Sequence, residues 1–266
     1  MISNVISDGV NGTPNIPGDK SISHRSIIIP SISNGVCEIE NILKSEDVFH
    51  TLNAFKLMGV RIEEQKQKLV IYGNGLDSLK KPDKEIYLGN SGTSARLLTG
   101  LLSSQKFDSV ISGDQSLSKR PMKRISDPLK KMNAQIQTAD GKLPLKIKSG
   151  NLGPYNFDLK IPSAQIKSGL ILASLNIKGE TKITEYRNTR DHTEKMLEAF
   201  DADIEINKVD NKKFIKITGR KELKPKNISV PNDLSSSAFF IVCALINKNS
   251  NLTLKNINNN PTRNGI

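Results

Sequence analysis

Lysine or arginine beside the small residues that open a helix makes a site for phosphate or carboxylate, and this sequence builds that combination repeatedly. In Pro17-Gly18-Asp19-Lys20-Ser21-Ile22-Ser23-His24-Arg25 a Pro–Gly break precedes small hydroxyl residues at a predicted helix start. Lys20 stands just before that start and Arg25 one turn inside it. A helix N-terminus presents unpaired N–H groups and the positive end of a dipole, so flanking cations complete an anion site. On this stretch alone, a capped helix with two solvated cations is an equal reading. Recurrence favours the anion site. Asn90-Ser91-Gly92-Thr93-Ser94-Ala95-Arg96 precedes the apolar run 97–102, and Ser163-Ala164-Gln165-Ile166-Lys167 precedes 170–175. Asn232-Asp233-Leu234-Ser235-Ser236-Ser237 precedes 238–246. Taken at Ser21, Ser91, Ser163 and Asp233, the starts are spaced by 70, 72 and 70 residues.

The elements that must position these residues repeat with the same period. A second, amphipathic helix follows in each of the first three units, with Val48, Leu52, Phe55 and Met58, then Met122, Ile125, Leu129 and Met132, then Met196, Leu197 and Phe200 on one face. Each ends at a residue that tolerates left-handed backbone: Gly59, Asn133 and Asp201. Strands are expected between the two helices (36–40, 109–112, 181–186) and as a pair after them (60–64 with 69–72, 134–138 with 143–147, 203–209 with 214–218). The unit reads helix, strand, helix, strand, strand. Internal repetition implies equivalent folded units packed together. About a common axis, their first helices would point their N-termini to one end and gather Lys20, Arg25, Arg96 and Lys167 there.

Composition narrows the partners. Lys plus Arg is 39 against 27 Asp plus Glu, a formal charge of +12 that favours anions. Aromatic content of 5%, the lack of tryptophan and the lack of a helix-turn-helix or RNP-like signature argue against nucleic acid. Cys37 and Cys243 read as core thiols, and neither they nor His24, His50 and His192 stand at metal-ligand spacing. His24, beside the anion motif, reads as a packing or hydrogen-bonding residue, and His50 as a surface one. With no export-type leader and no run long enough to span a bilayer, the expectation is a cytoplasmic enzyme without membrane attachment.

Linker signals at 12–18 and 221–231 flank the array. They divide the chain into a complete lobe, 20–227, and a second lobe begun by 1–19 together with 228–266, joined by a two-stranded hinge. Residues 1–16 supply at most one strand, and Pro30 is expected to kink or end the first helix. The run near Phe239 fits a core helix, and a strand is expected over 251–256. The fourth unit is barely half built, so the sequence reads as cut short.

Seven segments carry a resemblance: PGDKSISHR at 17–25, GNSGTSAR at 89–96, SGDQSLSKRPM at 112–122, SAQIKSGLILA at 163–173, TRDHTEKML at 189–197, NDLSSSAFF at 232–240 and NPTRNGI at 260–266. In this order they resemble the 5-enolpyruvylshikimate-3-phosphate (EPSP) synthases, within the enolpyruvyl transferases. The resemblance implies an α/β fold: one enolpyruvyl-transferase-like lobe of three pseudo-symmetric βαβαββ units, an incomplete second lobe, and an active site in the cleft between them. It implies transfer of the enolpyruvyl group of phosphoenolpyruvate to the 5-hydroxyl of shikimate 3-phosphate with release of phosphate, a step of the shikimate pathway to chorismate and the aromatic amino acids. It also implies no cofactor or metal, a monomer in the full-length form, and glyphosate as an occupant of the phosphoenolpyruvate position.

Carried over position by position, the resemblance makes Lys20 a contact of both substrates and a candidate for proton transfer. It assigns Ser21, Arg25, Ser163, Ala164, Gln165 and Arg190 to shikimate 3-phosphate, and Gly92, Arg120 and again Gln165 to phosphoenolpyruvate. Ala164 is often serine in the family, a change that a backbone contact survives. Arg96 reads as structural rather than ligand-binding. More than a third of a typical member has no counterpart here, including the cleft-facing acids and several cations of the phosphoenolpyruvate pocket, so the chain alone is expected to bind weakly and turn over negligibly. Two alternatives stand beside this reading: a non-catalytic anion-binding remnant, and the related UDP-N-acetylglucosamine enolpyruvyl transferase, whose cysteine loop is absent.

Overall fold

The computed structural model describes residues 9–210 and 212–263. After a short strand β1 (Asn11–Gly12), the first unit comprises α1 (Lys20–Ser31), β2 (Asn34–Glu40), α2 (Glu46–Leu57), β3 (Arg61–Glu64) and β4 (Lys68–Asn74). The second comprises β5 (Ile86–Tyr87), α3 (Gly92–Ser103), β6 (Ser109–Ser112), a single helical turn α4 (Gln115–Ser118), α5 (Lys123–Lys131), β7 (Gln135–Ala139) and β8 (Lys142–Lys148). The third comprises β9 (Asn156–Leu159), α6 (Ala164–Ser174), β10 (Glu180–Glu185), α7 (His192–Ala199), β11 (Ile204–Val209) and β12 (Lys212–Thr218). Then follow β13 (Ile228–Ser229), α8 (Leu234–Ile246) and β14 (Asn251–Leu252).

Three four-stranded sheets share one topology: β13-β2-β4-β3, β5-β6-β8-β7 and β9-β10-β12-β11. In each, the leading strand pairs parallel with the next and the remaining pairings are antiparallel. The unit is therefore βαβαββ, one strand more than periodicity suggests. The leading strands are two to four residues long, too short to show alternation. The first unit borrows its leading strand from after the third: Ile228 and Ser229 pair with Ile39 and Glu40. Two residues beyond the expected boundary at 227 thus complete the first unit's sheet.

Burial follows the sequence pattern. The first helices lie inside, buried on nearly all sides, with apolar bodies such as Ile27–Ile29, Leu97, Leu98, Leu101, Leu102 and Leu170–Ala173. The second helices bury one face through Phe55, Met58, Ile125, Leu129, Leu197 and Phe200. Strands such as β8 alternate exposed lysine with buried Leu143, Leu145 and Ile147, one sheet face on the core and one in water. Helices α3 and α6 cross where Gly100 meets Gly169; a Cβ on Gly100 would overlap the Gly169 carbonyl, so only glycine lets the backbones touch. Left-handed residues follow α2, α5 and α7 as expected, with φ of 83° at Gly59, 69° at Asn133 and 61° at Asp201. α1 runs through Pro30 and stops one residue later at Ser31; the proline forgoes only its own N–H bond to the Ser26 carbonyl.

The two chain crossings lie side by side. Asp19 N–H donates to the Pro231 carbonyl and Asp233 N–H to the Pro17 carbonyl, both at 2.8 Å. The expected strand over 251–256 is only β14, which pairs with β1. Helix α8 is not a core helix: Phe239 is 80% exposed, Leu245 78% and Ile246 76%, and the element it packs against most is the neighbouring β14. Cys37 is buried, whereas Cys243 on α8 is only half-buried. Among the described residues no helix is long and apolar enough to cross a membrane.

Candidate functional site

The first turns of α1, α3 and α6 are tied to one another. His24 Nδ1 on α1 lies 2.8 Å from Thr51 Oγ1 and 3.2 Å from Ser94 Oγ on α3. Gln165 on α6 donates to Thr93 Oγ1 at 3.1 Å and accepts from Arg96 at 3.0 Å. Arg25 on α1 donates to Ser168 Oγ on α6 at 2.8 Å. Three helix N-termini from three sequence-distant units thus converge, as the repeat requires. Each is capped in the same way: Asp19 accepts from Ile22 N–H, Ser91 from Ser94 N–H and Ser163 from Ile166 N–H. Each cap satisfies one N–H, and the earlier N–H groups of each turn lie at the shared pole.

The cap of α1 is Asp19, not Ser21, so Lys20 is the first helical residue. An aspartate two residues after Pro17 and three before Ile22 is a readable cap signal. The carboxylate is fully buried. Burial alone would raise its pKa, but the Ile22 N–H first, then the Asn258 amide and the Arg263 charge hold it below the ordinary value.

Lys20, Arg25, Arg96 and Arg120 stand at this pole, with Arg190 beside it. Lys20 is 47% exposed and pairs with Asp47 on α2. Arg25 is buried, and one N–H from each of its three nitrogens donates to Thr193 Oγ1 (2.6 Å), the Ser21 carbonyl and Ser168 Oγ (both 2.8 Å). Burial pulls its pKa down to about 10, against the opposing pull of Glu194 and Asp19. Arg120 reaches Asn90 at the start of α3. Arg96 donates to the Gly92 carbonyl at 3.0 Å as well as to Gln165, in keeping with a structural part; burial and the neighbouring Arg120 and Arg124 lower its pKa. Gly92 lies under both guanidinium groups: a Cβ there would come 2.8 Å from Arg96 and 2.9 Å from Arg120. Arg190 is exposed close to the α1 cap; burial and Arg263 lower its pKa, while Asp19 and Asp233 oppose them.

Lys167 does not join the pole. It is fully buried, with Nζ 2.7 Å from both Glu185 and Glu194. Its position four residues after Ser163 turns it into the lobe, and only the acidic residues of β10 and α7 reveal this. Asp47, which holds Lys20, lies in no motif; Ser168 and Thr193, which hold Arg25, lie inside the segments 163–173 and 189–197, but their part in holding Arg25 was not read from them. Arg263 was also missed as a link. It bonds Asp19 at 3.3 Å and Asp233 at 2.9 Å, joining the cap of α1 to the cap of α8. The rest of NPTRNGI at 264–266 lies outside the described residues.

His24 is buried among hydroxyls; burial first, then the charges of Arg25 and Lys20, push its pKa down to about 3, so the ring is neutral. It is the hydrogen-bonding residue the sequence suggests.

Comparison with known proteins bears on this pole. The family model described as EPSP synthase (3-phosphoshikimate 1-carboxyvinyltransferase) matches residues 6–266. A 3-phosphoshikimate 1-carboxyvinyltransferase of Ruthia magnifica subsp. Calyptogena magnifica is 51% identical over 261 residues, covering 98% of this chain and 59% of that protein. One of Bacillus cytotoxicus is 44% identical, covering 97% and 60%. The solved structure of EPSP synthase from Acinetobacter baumannii superposes with a TM-score of 0.89 at 48% identity, covering 97% of this chain and 58% of that one. The chain spans about three fifths of the length of these relatives.

Proposed function

We propose, since the chain belongs to the EPSP synthase family, that it is the part of a 3-phosphoshikimate 1-carboxyvinyltransferase that holds shikimate 3-phosphate and one side of phosphoenolpyruvate. The carrying observation is the convergence of three capped helix N-termini, with Arg25, Arg120 and Gln165 on one pole. Two small polyanions are the ligands such a pole suits. Ser21, Arg25, Ser163, Ala164, Gln165 and Arg190 take shikimate 3-phosphate. Lys20, Gly92, Arg120 and Gln165 take phosphoenolpyruvate, and Lys20 is the candidate for proton transfer. In the reaction the 5-hydroxyl oxygen forms the new ether bond to the enolpyruvyl carbon, the carbon–oxygen bond to phosphate breaks, and the hydroxyl proton leaves with the products.

The site faces a cleft between the lobe 20–227 and a second lobe to which 1–19 and 228–266 contribute. By itself the chain supplies one wall, so it binds weakly and turns over negligibly. Calorimetry tests the reading. Shikimate 3-phosphate is expected to give a saturable one-site isotherm, with UDP-N-acetylglucosamine silent and duplex DNA giving only salt-sensitive heat. Saturable binding of DNA or the UDP-sugar, with none of shikimate 3-phosphate, would overturn it. Ordinary phosphate release by the chain alone would refute the one-wall account.

A further inference from the structure

Behind Arg25 lies a cluster of four buried charges. Glu194 Oε1 on α7 accepts from Lys167 Nζ on α6 at 2.7 Å and from Lys213 Nζ on β12 at 2.9 Å. Lys167 Nζ also reaches Glu185 Oε2 on β10 at 2.7 Å. All four side chains are at most 4% exposed. Two positive and two negative charges cancel, yet burying them is costly, and apolar residues of similar size often stabilise a core as well or better.

The placement of the four suggests what that cost obtains. Ser168 follows Lys167 and Thr193 precedes Glu194, and these two hydroxyls hold the Arg25 fork. Thr193 donates in turn to Ser168 at 2.7 Å, closing a ring of hydroxyls on the guanidinium. The Lys167–Glu194 pair therefore pins α6 to α7 one residue away from each hydroxyl that Arg25 needs. A second branch runs to the other arginine: Glu185 Oε1 accepts from Thr189 Oγ1 at 2.6 Å, and Thr189 precedes Arg190.

We infer that the buried Lys167–Glu185–Glu194–Lys213 cluster is the positioning frame for the two arginines that hold the anionic substrate, its Lys167–Glu194 arm setting Arg25 and its Glu185 arm setting Arg190. The substrate named here rests on the proposed function above; the geometry of the frame does not. These are positioning residues, acting through Ser168, Thr193 and Thr189 without touching ligand.

Two double variants separate positioning from bulk stability, because each removes one buried charge of each sign. In Lys167→Met/Glu194→Gln the remaining Glu185 and Lys213 face each other across β10 and β12 and neutralise one another. In Glu185→Gln/Lys213→Met the Lys167–Glu194 pair is kept. Hydrogen exchange of the Arg25 Nε–H in the 15N-labelled chain reads the frame directly, and calorimetry with shikimate 3-phosphate reads its consequence. The first variant is expected to speed Arg25 exchange and weaken binding, each by about tenfold or more. The second is expected to leave Arg25 exchange within about threefold of wild type. If the first fails to fold, Lys167→Gln/Glu194→Gln, which also removes one charge of each sign, carries the same expectation.

Equal Arg25 exchange in the two variants, or unchanged exchange in the first, overturns the inference. If the wild-type chain does not bind shikimate 3-phosphate, the functional reading fails, and the exchange comparison still decides the frame.

Discussion

The neutral, buried His24 makes stability fall with acidity in a window where carboxylates are silent. Its folded pKa is pushed down to about 3 from an ordinary 6.5. The unfolded chain thus takes up a proton as pH falls through 6.5, while the folded chain refuses it until about 3. Folding stability is present above 6.5 and is lost progressively below it. Between pH 7 and 5 the linkage integral gives a loss of about 2 kcal/mol from this residue. His192, pushed down to about 4 chiefly by burial, adds roughly another 2 kcal/mol. Asp19 and Asp191, both held below 3.8, are ionised in folded and unfolded states alike at pH 5 and contribute little there. His24→Asn keeps a polar group near Nδ1, where Thr51 sits, and removes the titration. Urea unfolding at pH 7 and pH 5 is expected to show a loss of roughly 4 kcal/mol in wild type and roughly half that in the variant. Equal losses in the two proteins would refute the linkage, whatever the variant does to absolute stability.

Three further outcomes follow from the geometry. Gly92→Ala puts a methyl within 3 Å of Arg96 and Arg120, so calorimetry is expected to show weaker phosphoenolpyruvate binding by about tenfold, with near-normal urea unfolding. Gly100→Ala drives a Cβ into the Gly169 carbonyl where α3 crosses α6; unfolding in urea is expected to show a loss of about 2 kcal/mol or more. Phe239→Ser/Leu245→Ser on the uncovered face of α8 is expected to reduce binding of a hydrophobic dye while leaving the melting temperature within a few degrees, about the shift of a 0.5 kcal/mol surface change.

The repeat was legible because its signals are strong and local. Apolar runs mark the inner helices, three-and-four spacing marks the outer ones, and Gly59, Asn133 and Asp201 punctuate them. The leading strands were not legible: β13 and β5 are two residues each and take their meaning from partners far along the chain. The convergence of the three helix starts follows from the repeat; Arg96, Arg120 and Gln165 meet around Gly92, and Arg25 reaches α6 at Ser168. Lys167 was misread because a cation at the start of a helix looks alike whether it turns outward or inward. Its direction is fixed by Glu185 and Glu194, which are 18 and 27 residues distant along the chain. The Asp19 cap was open to a local reading, three residues before Ile22, whereas Arg263 as the link between caps rests on a contact to Asp19 across more than two hundred residues, which no local pattern carries.

The account stands on three helix starts acting as one anion site, and amide chemical shifts on titration with shikimate 3-phosphate test that directly. The first-turn amides at Ser21, Thr93 and Gln165 are expected to move together along one binding curve. Shifts confined to a single helix, or separate curves for the three, would contradict it.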